Sequence, residues 1–285
     1  MYNDEIIVSV CCITYNHEKY IAAAIESFLM QETEFRYEIL IGDDCSTDNT
    51  RKIIEMYCER YPGRIRLISP SRNLGGIRNQ IALVNRANGK YIAMCDGDDF
   101  WTDPFKLQKQ VDFLEANPDY VICCHYTKVI DDNYNTKYVH PSPVPLEFTY
   151  EDLLFGKREE TRICSLMVNN TAEVRSIGKE HWYFDTYGAD VIFKLHATLS
   201  TRKKIYVLPE VMGCYRIHAG GIWSMALPRI RKRRMINDFN LVIKKFSYSS
   251  FQKRELLKIY MKQYFLFDLR SFKIENAFKT IATLL

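Results

Sequence analysis

The chain has 285 residues, 47% of them hydrophobic and 26% charged, which suits a soluble globular protein with a sizeable core and excludes a disordered or fibrous one. No apolar run approaches the roughly 20 residues of a membrane span. Asp4 and Glu5 stand where a signal peptide would be basic, so a cytosolic protein is expected. The net charge of +4 hides a gradient: residues 201–285 carry 18 Lys and Arg against 5 Asp and Glu, a net of +13, and residues 1–200 a net of −9. Nine cysteines, an odd number with no C-x-x-C spacing, lie mostly in apolar runs and read as buried free thiols of a reducing compartment.

In chain order, the β-branched run Ile6–Thr14 has little alternation, as expected of a parallel strand covered on both faces. After the turn Tyr15-Asn16-His17, residues Tyr20–Met30 carry helical spacing through Ile21, Ala24, Ile25, Phe28 and Leu29. Tyr37–Gly42 is a second strand, ending in Asp43-Asp44-Cys45-Ser46. A helix through Ile53, Ile54 and Tyr57 follows, with Ser46 or Thr47 as its expected cap. Ile65–Ser69 is a third strand, followed by Asn73-Leu-Gly-Gly76 and a helix through Ile77, Ile81 and Val84. Tyr91–Cys95 is a fourth strand. Pro104 opens a helix lined by Leu107, Val111 and Leu114, and Tyr120–His125 is a fifth strand.

Strand, turn and helix repeated this regularly predict an α/β fold, a mostly parallel sheet with helices on both faces. Ligands of such sheets bind beyond the carboxyl ends of the strands. The polar residues fall there: Thr14 to Asn16, Asp43 to Ser46, Asn73 to Arg78, and Asp96 to Asp99. The last group places three carboxylates in four residues, with Gly97 allowing a sharp turn. Carboxylates so close repel one another unless a positive charge sits among them. A hard divalent cation that also holds a substrate phosphate would serve; an ordinary acidic turn closing a strand is the plainer alternative. No glycine-rich phosphate loop follows the first strand, so a nucleotide's phosphates call for a metal on Asp96 and Asp98, with Arg78 as a second positive charge.

Val8–Asn16, Glu38–Asp48, Asn73-Leu-Gly75 and Gly89–Asp99 together resemble, in order and spacing, the bacterial family-2 glycosyltransferases, over about residues 6–220. The resemblance implies a GT-A (Rossmann-like) fold, a nucleotide-sugar donor, a Mg²⁺ or Mn²⁺ ion and inversion at the anomeric carbon. It implies that Thr14, Tyr15 and Asn16 flank the nucleotide, with Asn73 and Arg78 beside it, and that Asp44 accepts from the base, typically uracil. Asp96 would lie near the ribose, and Asp98 with Asp99 would hold the metal. Cys45 stands where the family often has Gly, which predicts a local change in the turn.

An inverting transfer needs a base for the acceptor hydroxyl. Tyr187–Leu195 resembles the family's base-bearing segment, although this chain has Ala189-Asp190 where Glu-Asp is more usual. Asp190 is the expected base and Asp185 its rival; otherwise Asp190 merely caps the helix through Ile192, Leu195 and Leu199. Gly213–Ser224 resembles a late Tyr-Arg-x-His stretch, which makes His218 a third metal ligand or a diphosphate donor and Arg216 a neutralising charge. Residues 126–187 read as loops with a short helix at Tyr150–Phe155; acceptor contacts are expected there and around Trp182 and Tyr183.

Two units are expected: a catalytic domain over 1–227 and a basic amphipathic helical appendage over 228–285. The appendage either lies on the inner face of an anionic membrane, giving peripheral association, or caps the domain. Its basic and aromatic residues come with no nucleic-acid recognition fold, so nucleic acid is not an expected partner. The expected function is transfer from a UDP-sugar to a saccharide or lipid-linked glycan in surface polysaccharide synthesis. The alternatives are a non-catalytic sugar-nucleotide or glycan-binding module and a sugar-1-phosphate nucleotidyltransferase, whose N-terminal glycine-rich loop is missing here.

Overall fold

The computed structural model describes residues 5–221, 225–271 and 273–285; the end of the Tyr-Arg-x-His stretch, Ile222 to Ser224, lies outside them. Strand β1 (Ile6–Thr14) pairs in parallel with β2 (Arg36–Asp43) and with β4 (Tyr91–Met94), and β3 (Ile65–Ile68) pairs in parallel on the outer side of β2. Between these strands run helices α1 (Ile21–Leu29), α2 (Thr50–Arg60) and α3 (Gly76–Val84). The parallel, doubly covered first half expected from the apolar runs is what forms. Successive residues of β1 and β4 face opposite sides: Val8, Val10, Tyr91 and Ala93 enter one core, and Cys11, Ile92 and Met94 the other.

The second half departs from an all-parallel sheet. Strand β9 (Met167–Asn169) runs antiparallel between β4 and β6 (Tyr120–Asp131). Strand β10 (Lys204–Ile217) lies parallel to β6 along most of its length, and β5 (Phe100–Trp101) pairs antiparallel with it at the edge. The order is β3-β2-β1-β4-β9-β6-β10-β5, with β7 (Thr136–Tyr138) on β6 and β8 (Leu146–Phe148) on β10. Three residues are too few for β9 to show a period. Strand β10 contains Pro209 and register shifts between Leu208, Val211 and Gly213, which break the alternation that marks a strand.

Local details also differ. Neither Ser46 nor Thr47 caps α2; its N-cap is Asn49, and Asp48 Oδ1 accepts from Thr50 N instead. Helix α4 (Lys106–Ala116) begins two residues after Pro104. The short helix predicted at Tyr150–Phe155 forms as α5 (Tyr150–Leu154), held by a capping box between Thr149 and Asp152, and one further short helix, α6 (Ala172–Arg175), follows β9. All nine cysteines are free, seven of them buried.

Residues 228–285 form helices at Pro228–Lys245, Ser250–Tyr260, Leu266–Arg270 and Ile274–Leu284. Their apolar faces point inward. Ile236, Val242, Ile243, Leu256, Tyr260 and Leu284 belong to the same core as Leu153 of α5 and Ile192 and Leu195 of α7 (Ala189–Thr201). Asp268, wholly buried, ties these helices together: it accepts from Arg233 Nη1 at 2.5 Å and from the Tyr260 hydroxyl at 2.7 Å. An amphipathic pattern thus arises here from packing on the sheet domain. We predict that Leu256→Ala costs about 2–5 kcal/mol and lowers the midpoint of one common thermal transition. Two separate transitions, with only the smaller one moved, would show that the tail melts on its own.

Candidate active site

The carboxyl ends of β1, β2 and β4 meet through backbone contacts. Asp44 N donates to Thr14 O at 3.0 Å and Gly97 N to Ile13 O at 2.9 Å. Position 97 has no room for a side chain, because a Cβ there would stand 2.8 Å from Thr14 Oγ1. Asn16 takes a left-handed φ of 56°; its N–H donates to Ser46 Oγ at 2.9 Å and its Oδ1 accepts from Thr47 N at 2.8 Å. The β1 and β2 loops are thereby joined, leaving Tyr15 43% exposed beside them. Cys45 is also left-handed, at φ 62°, the conformation for which glycine is the usual choice.

Asp44 is buried, and its two oxygens accept from Leu74 N at 2.7 Å and Gly75 N at 2.8 Å. Asn73 Nδ2 donates to Asp44 O at 3.0 Å. Thr14, Tyr15, Asn16, Asp44 and Asn73 therefore share one loop cluster, with Asp44 organising the β3–α3 loop. Arg78 is exposed on α3, with its guanidinium 4.6 Å from the centroid of the Phe184 ring.

The return of β10 brings the second half of the chain to the Asp96–Asp99 turn. Gly213 and Cys214 pair with Trp101 and Phe100, so Arg216 and His218 fall beside the acidic turn. His218 Nε2 lies 2.9 Å from Asp98 Oδ2, and His17 Nε2 reaches the same oxygen at 3.8 Å. His17, Asp98 and His218 each offer a ligand atom within 4.8 Å of the others. Among the described residues this is the group of His, Cys and acidic side chains arranged to hold a metal ion. Asp99 stands outside it. It is buried, and its Oδ1 accepts from Arg216 N at 2.8 Å. Arg216 is buried too: its Nε donates to Asp98 O at 3.1 Å, and its guanidinium lies among the rings of Tyr20, Phe100 and Tyr134. It positions the acidic turn from behind.

The charges sort accordingly. Burial opposes ionisation of Asp98, but the His218 hydrogen bond and the proximity of His17 prevail and hold it below the usual carboxylate range. Burial, reinforced by the charge of Asp98, pushes Asp99 well upward. Asp96, half-buried at the turn, is raised to about 8 by desolvation and by the charges of Asp98 and Asp190. Desolvation lowers the His17 pKa against the opposing pull of Asp98, which favours the neutral, ligating imidazole.

Asp190 sits in the first turn of α7, where the N-cap is Gly188 and no side chain caps. Its 39% exposed carboxylate instead receives Lys194 Nζ at 3.1 Å. Lys194 is buried and also donates to Thr161 O at 2.7 Å and Thr161 Oγ1 at 3.0 Å, so it is fixed in place. Burial works against the Asp190 charge, but Lys194 and then Arg158 outweigh it and keep its pKa low. Asp185 is exposed on the preceding turn. Tyr183 is fully buried, its hydroxyl donating to Ala189 O at 3.3 Å, and Trp182 packs edge-on against Phe246. These two rings support α7 and the tail.

Three residues here escaped the sequence reading: His17, Lys194 and Asp238. Asp238, on the Pro228–Lys245 helix, accepts from Tyr187 N at 3.0 Å and from Gly188 N at 2.7 Å. It thereby clamps the backbone leading into Asp190.

Comparison with known proteins fits this geometry. The sequence model described as glycosyl transferase family 2 matches residues 9–172. An uncharacterized protein of Mycobacterium tuberculosis is 36% identical over 229 residues, 79% of this chain and 63% of that protein. TuaG of Bacillus subtilis, provisionally named a teichuronic acid biosynthesis glycosyltransferase, is 34% identical over 155 residues, 54% of this chain and 59% of its own. The chain thus spans about three fifths of the length of these relatives. In fold it is similar to S. aureus TarS 1-349 in complex with UDP-GlcNAc (TM-score 0.70, 19% identity, 98% of this chain and 82% of that one). It is also similar to the mannosyltransferase PcManGT of Pyrobaculum calidifontis in complex with GDP-Man and Mn²⁺ (TM-score 0.65, 15% identity, 98% and 74%).

Two imidazole nitrogens and one carboxylate are a donor set that fits a divalent ion. We predict that His17→Gln and His218→Gln each weaken Mn²⁺ binding about tenfold or more, roughly 1.4 kcal/mol, in a calorimetric titration. Asp99→Asn should leave it within about twofold, roughly 0.4 kcal/mol; a loss matching His218→Gln would return Asp99 to the ligand set.

Proposed function

The chain belongs to glycosyl transferase family 2, and from that membership we propose that it transfers a sugar from a nucleoside diphosphate, UDP first among them, to a saccharide acceptor with inversion. One observation carries the reading. The loop cluster of Thr14 and Asp44 and the His17–Asp98–His218 group stand at the carboxyl ends of the central strands, and Asp190 is near enough to Asp96 for its charge to raise the Asp96 pKa. Nucleotide, diphosphate and acceptor would each meet suitable chemistry in one neighbourhood.

In this reading Thr14, Tyr15, Asn16, Asp44 and Asn73 form the nucleoside end, and Asp96 faces the ribose. Arg78, on the exposed face of α3, is the added positive charge at the rim. Asp98, His218 and His17 would hold Mn²⁺ or Mg²⁺, which supplies charge neutralisation for the departing diphosphate. Asp190 takes the proton of the attacking hydroxyl. Its low pKa keeps it ionised at neutral pH, and Lys194 fixes the carboxylate's direction. Asp238 acts one step removed, holding the Tyr187–Gly188 backbone so that the first turn of α7 presents Asp190 at a set height.

The setting proposed is bacterial surface polysaccharide synthesis, in line with the name given to TuaG. No helix is long and apolar enough to cross a membrane. The tail does expose Leu227, Ile230, Ile274 and Phe278, and Arg229, Arg233, Arg234 and Lys273 line one surface with Ile230. Apolar and basic groups mixed in this way suit peripheral contact with an anionic cytoplasmic leaflet.

We predict that Asp190→Asn lowers the transfer rate about 10²–10⁴-fold while sparing binding of the sugar nucleotide, measured by calorimetry. Asp185→Asn should change the rate little, and the reverse pattern would move the base to Asp185. Lys194 favours the ionised form of Asp190, so Lys194→Met should raise the base's pKa. The acidic limb of the kcat/KM profile should then move to higher pH; an unmoved limb would remove Lys194 from this role.

A further inference from the structure

A cavity separate from the nucleotide loops and the cation cluster lies between α5, α7 and the tail. It measures about 210 Å³, walled by Leu153, Ile192 and Leu195 on the sheet-domain side and by Met235, Phe239 and Tyr264 on the tail side. At roughly 30 Å³ for each water-sized group, it has room for about seven such groups. Arg158, Asp238 and Gln263 give it a polar side, and the rest of its lining is mostly apolar side chains and tyrosine rings, which suits a hydrocarbon chain joined to a polar group. Gly188 and Val191, on either side of Asp190 in sequence, also line it.

The charge around the cavity is unbalanced. Arg158 lines it, half-buried; among the described residues its guanidinium makes no hydrogen bond, though its charge helps to hold the Asp190 pKa down. Two further cations stand at the edge: Lys232 Nζ lies 4.7 Å from the centroid of the Tyr264 ring, and Arg234 Cζ lies 5.0 Å from that of Tyr187. The acids facing them are already engaged, Asp238 by the N–H groups of Tyr187 and Gly188, and Asp190 by Lys194. A half-buried guanidinium with free N–H donors beside a largely apolar cavity can receive an anion carried on an apolar group.

We propose that this cavity is a subsite for an amphiphilic acceptor, seating a hydrocarbon chain between the sheet domain and the tail with a phosphate ester on Arg158. The proposal rests on the reading of Asp190 as the base, since a glycan joined to that phosphate extends past Gly188 towards it. It also gives the sheet-facing side of the tail a part in acceptor choice.

The test is a calorimetric titration of the full chain with octyl phosphate, below its micelle concentration and without donor. Saturable binding at a single site is expected, weakened about tenfold or more by Arg158→Gln and abolished by Met235→Trp, which fills the cavity from the tail side. Octyl glucoside, with the same chain and no anion, and inorganic phosphate, with no chain, should each bind at least about tenfold more weakly. No binding of octyl phosphate, equal binding by Arg158→Gln, or octyl glucoside binding as tightly would overturn the proposal. UDP titrated into the same samples separates the two readings. UDP binding with no octyl phosphate binding removes this subsite alone; octyl phosphate binding with no UDP binding supports the subsite and counts against the donor site.

Discussion

Three carboxylates crowded at the end of β4 shift one another's ionisation, and strand β10 of the second half returns to meet them. Asp98 keeps its charge because two imidazoles approach one of its oxygens. Burial favours the neutral acid at Asp99 against the opposing N–H of Arg216, and desolvation with neighbouring charge raises Asp96 to about 8. One full negative charge per turn is what the fold accommodates without help. Strand β10 returns alongside β5, and the buried Arg216 pins that return to the Asp98 carbonyl. The long β6–β10 pairing thus places His218 across the cleft from a carboxylate 120 residues earlier in the chain.

Asp190, the proposed base, keeps its charge by the same physics. Asp190 would gain little from ionising in a low-dielectric wall, so a buried lysine one helical turn on, satisfied by Thr161, offsets the desolvation. Because Lys194 sits at i+4 on the same helix, the pair moves as one body with α7. What sets the height of that body is Asp238 from the tail. Residues 228–285 are therefore joined to the chemistry by two kinds of contact, a shared apolar core and a pair of hydrogen bonds to the backbone just before the base.

The first half of this architecture was legible in the sequence because its strands are short, doubly buried and uninterrupted, and because each ends abruptly in polar residues. The loop cluster could be read from those ends, as could Asp98, His218 and Asp190 as candidates. What could not be read depends on pairings distant in sequence. His17 looks like part of a turn, and nothing near it announces that β10 will bring another imidazole to within 5.9 Å of its ring. Asp99 was expected to join Asp98 as a ligand from its place beside it, but within the turn its carboxylate faces inward and accepts from Arg216 N. Strands β9 and β10 were hidden by brevity and by Pro209. The amphipathic pattern of the tail was visible, but a pattern shows only that one face is apolar, not what that face will cover.

That last distinction bears on how the molecule can vary. A helix whose apolar face lies on a membrane could change its sequence with little effect on the active site. Here the same face forms one wall of a cavity whose opposite wall, α7, carries Asp190. Substitutions that enlarge or tilt the tail helices must therefore shift Asp238, and with it the backbone that holds the base. Changing what fills the cavity and changing where the base stands are coupled by the two residues between them, Tyr187 and Gly188. The acidic turn is anchored separately, by the pairing of β10 with β5 and by the Arg216 N–H on Asp99, so it touches the tail only through the charge that Asp190 exerts on Asp96.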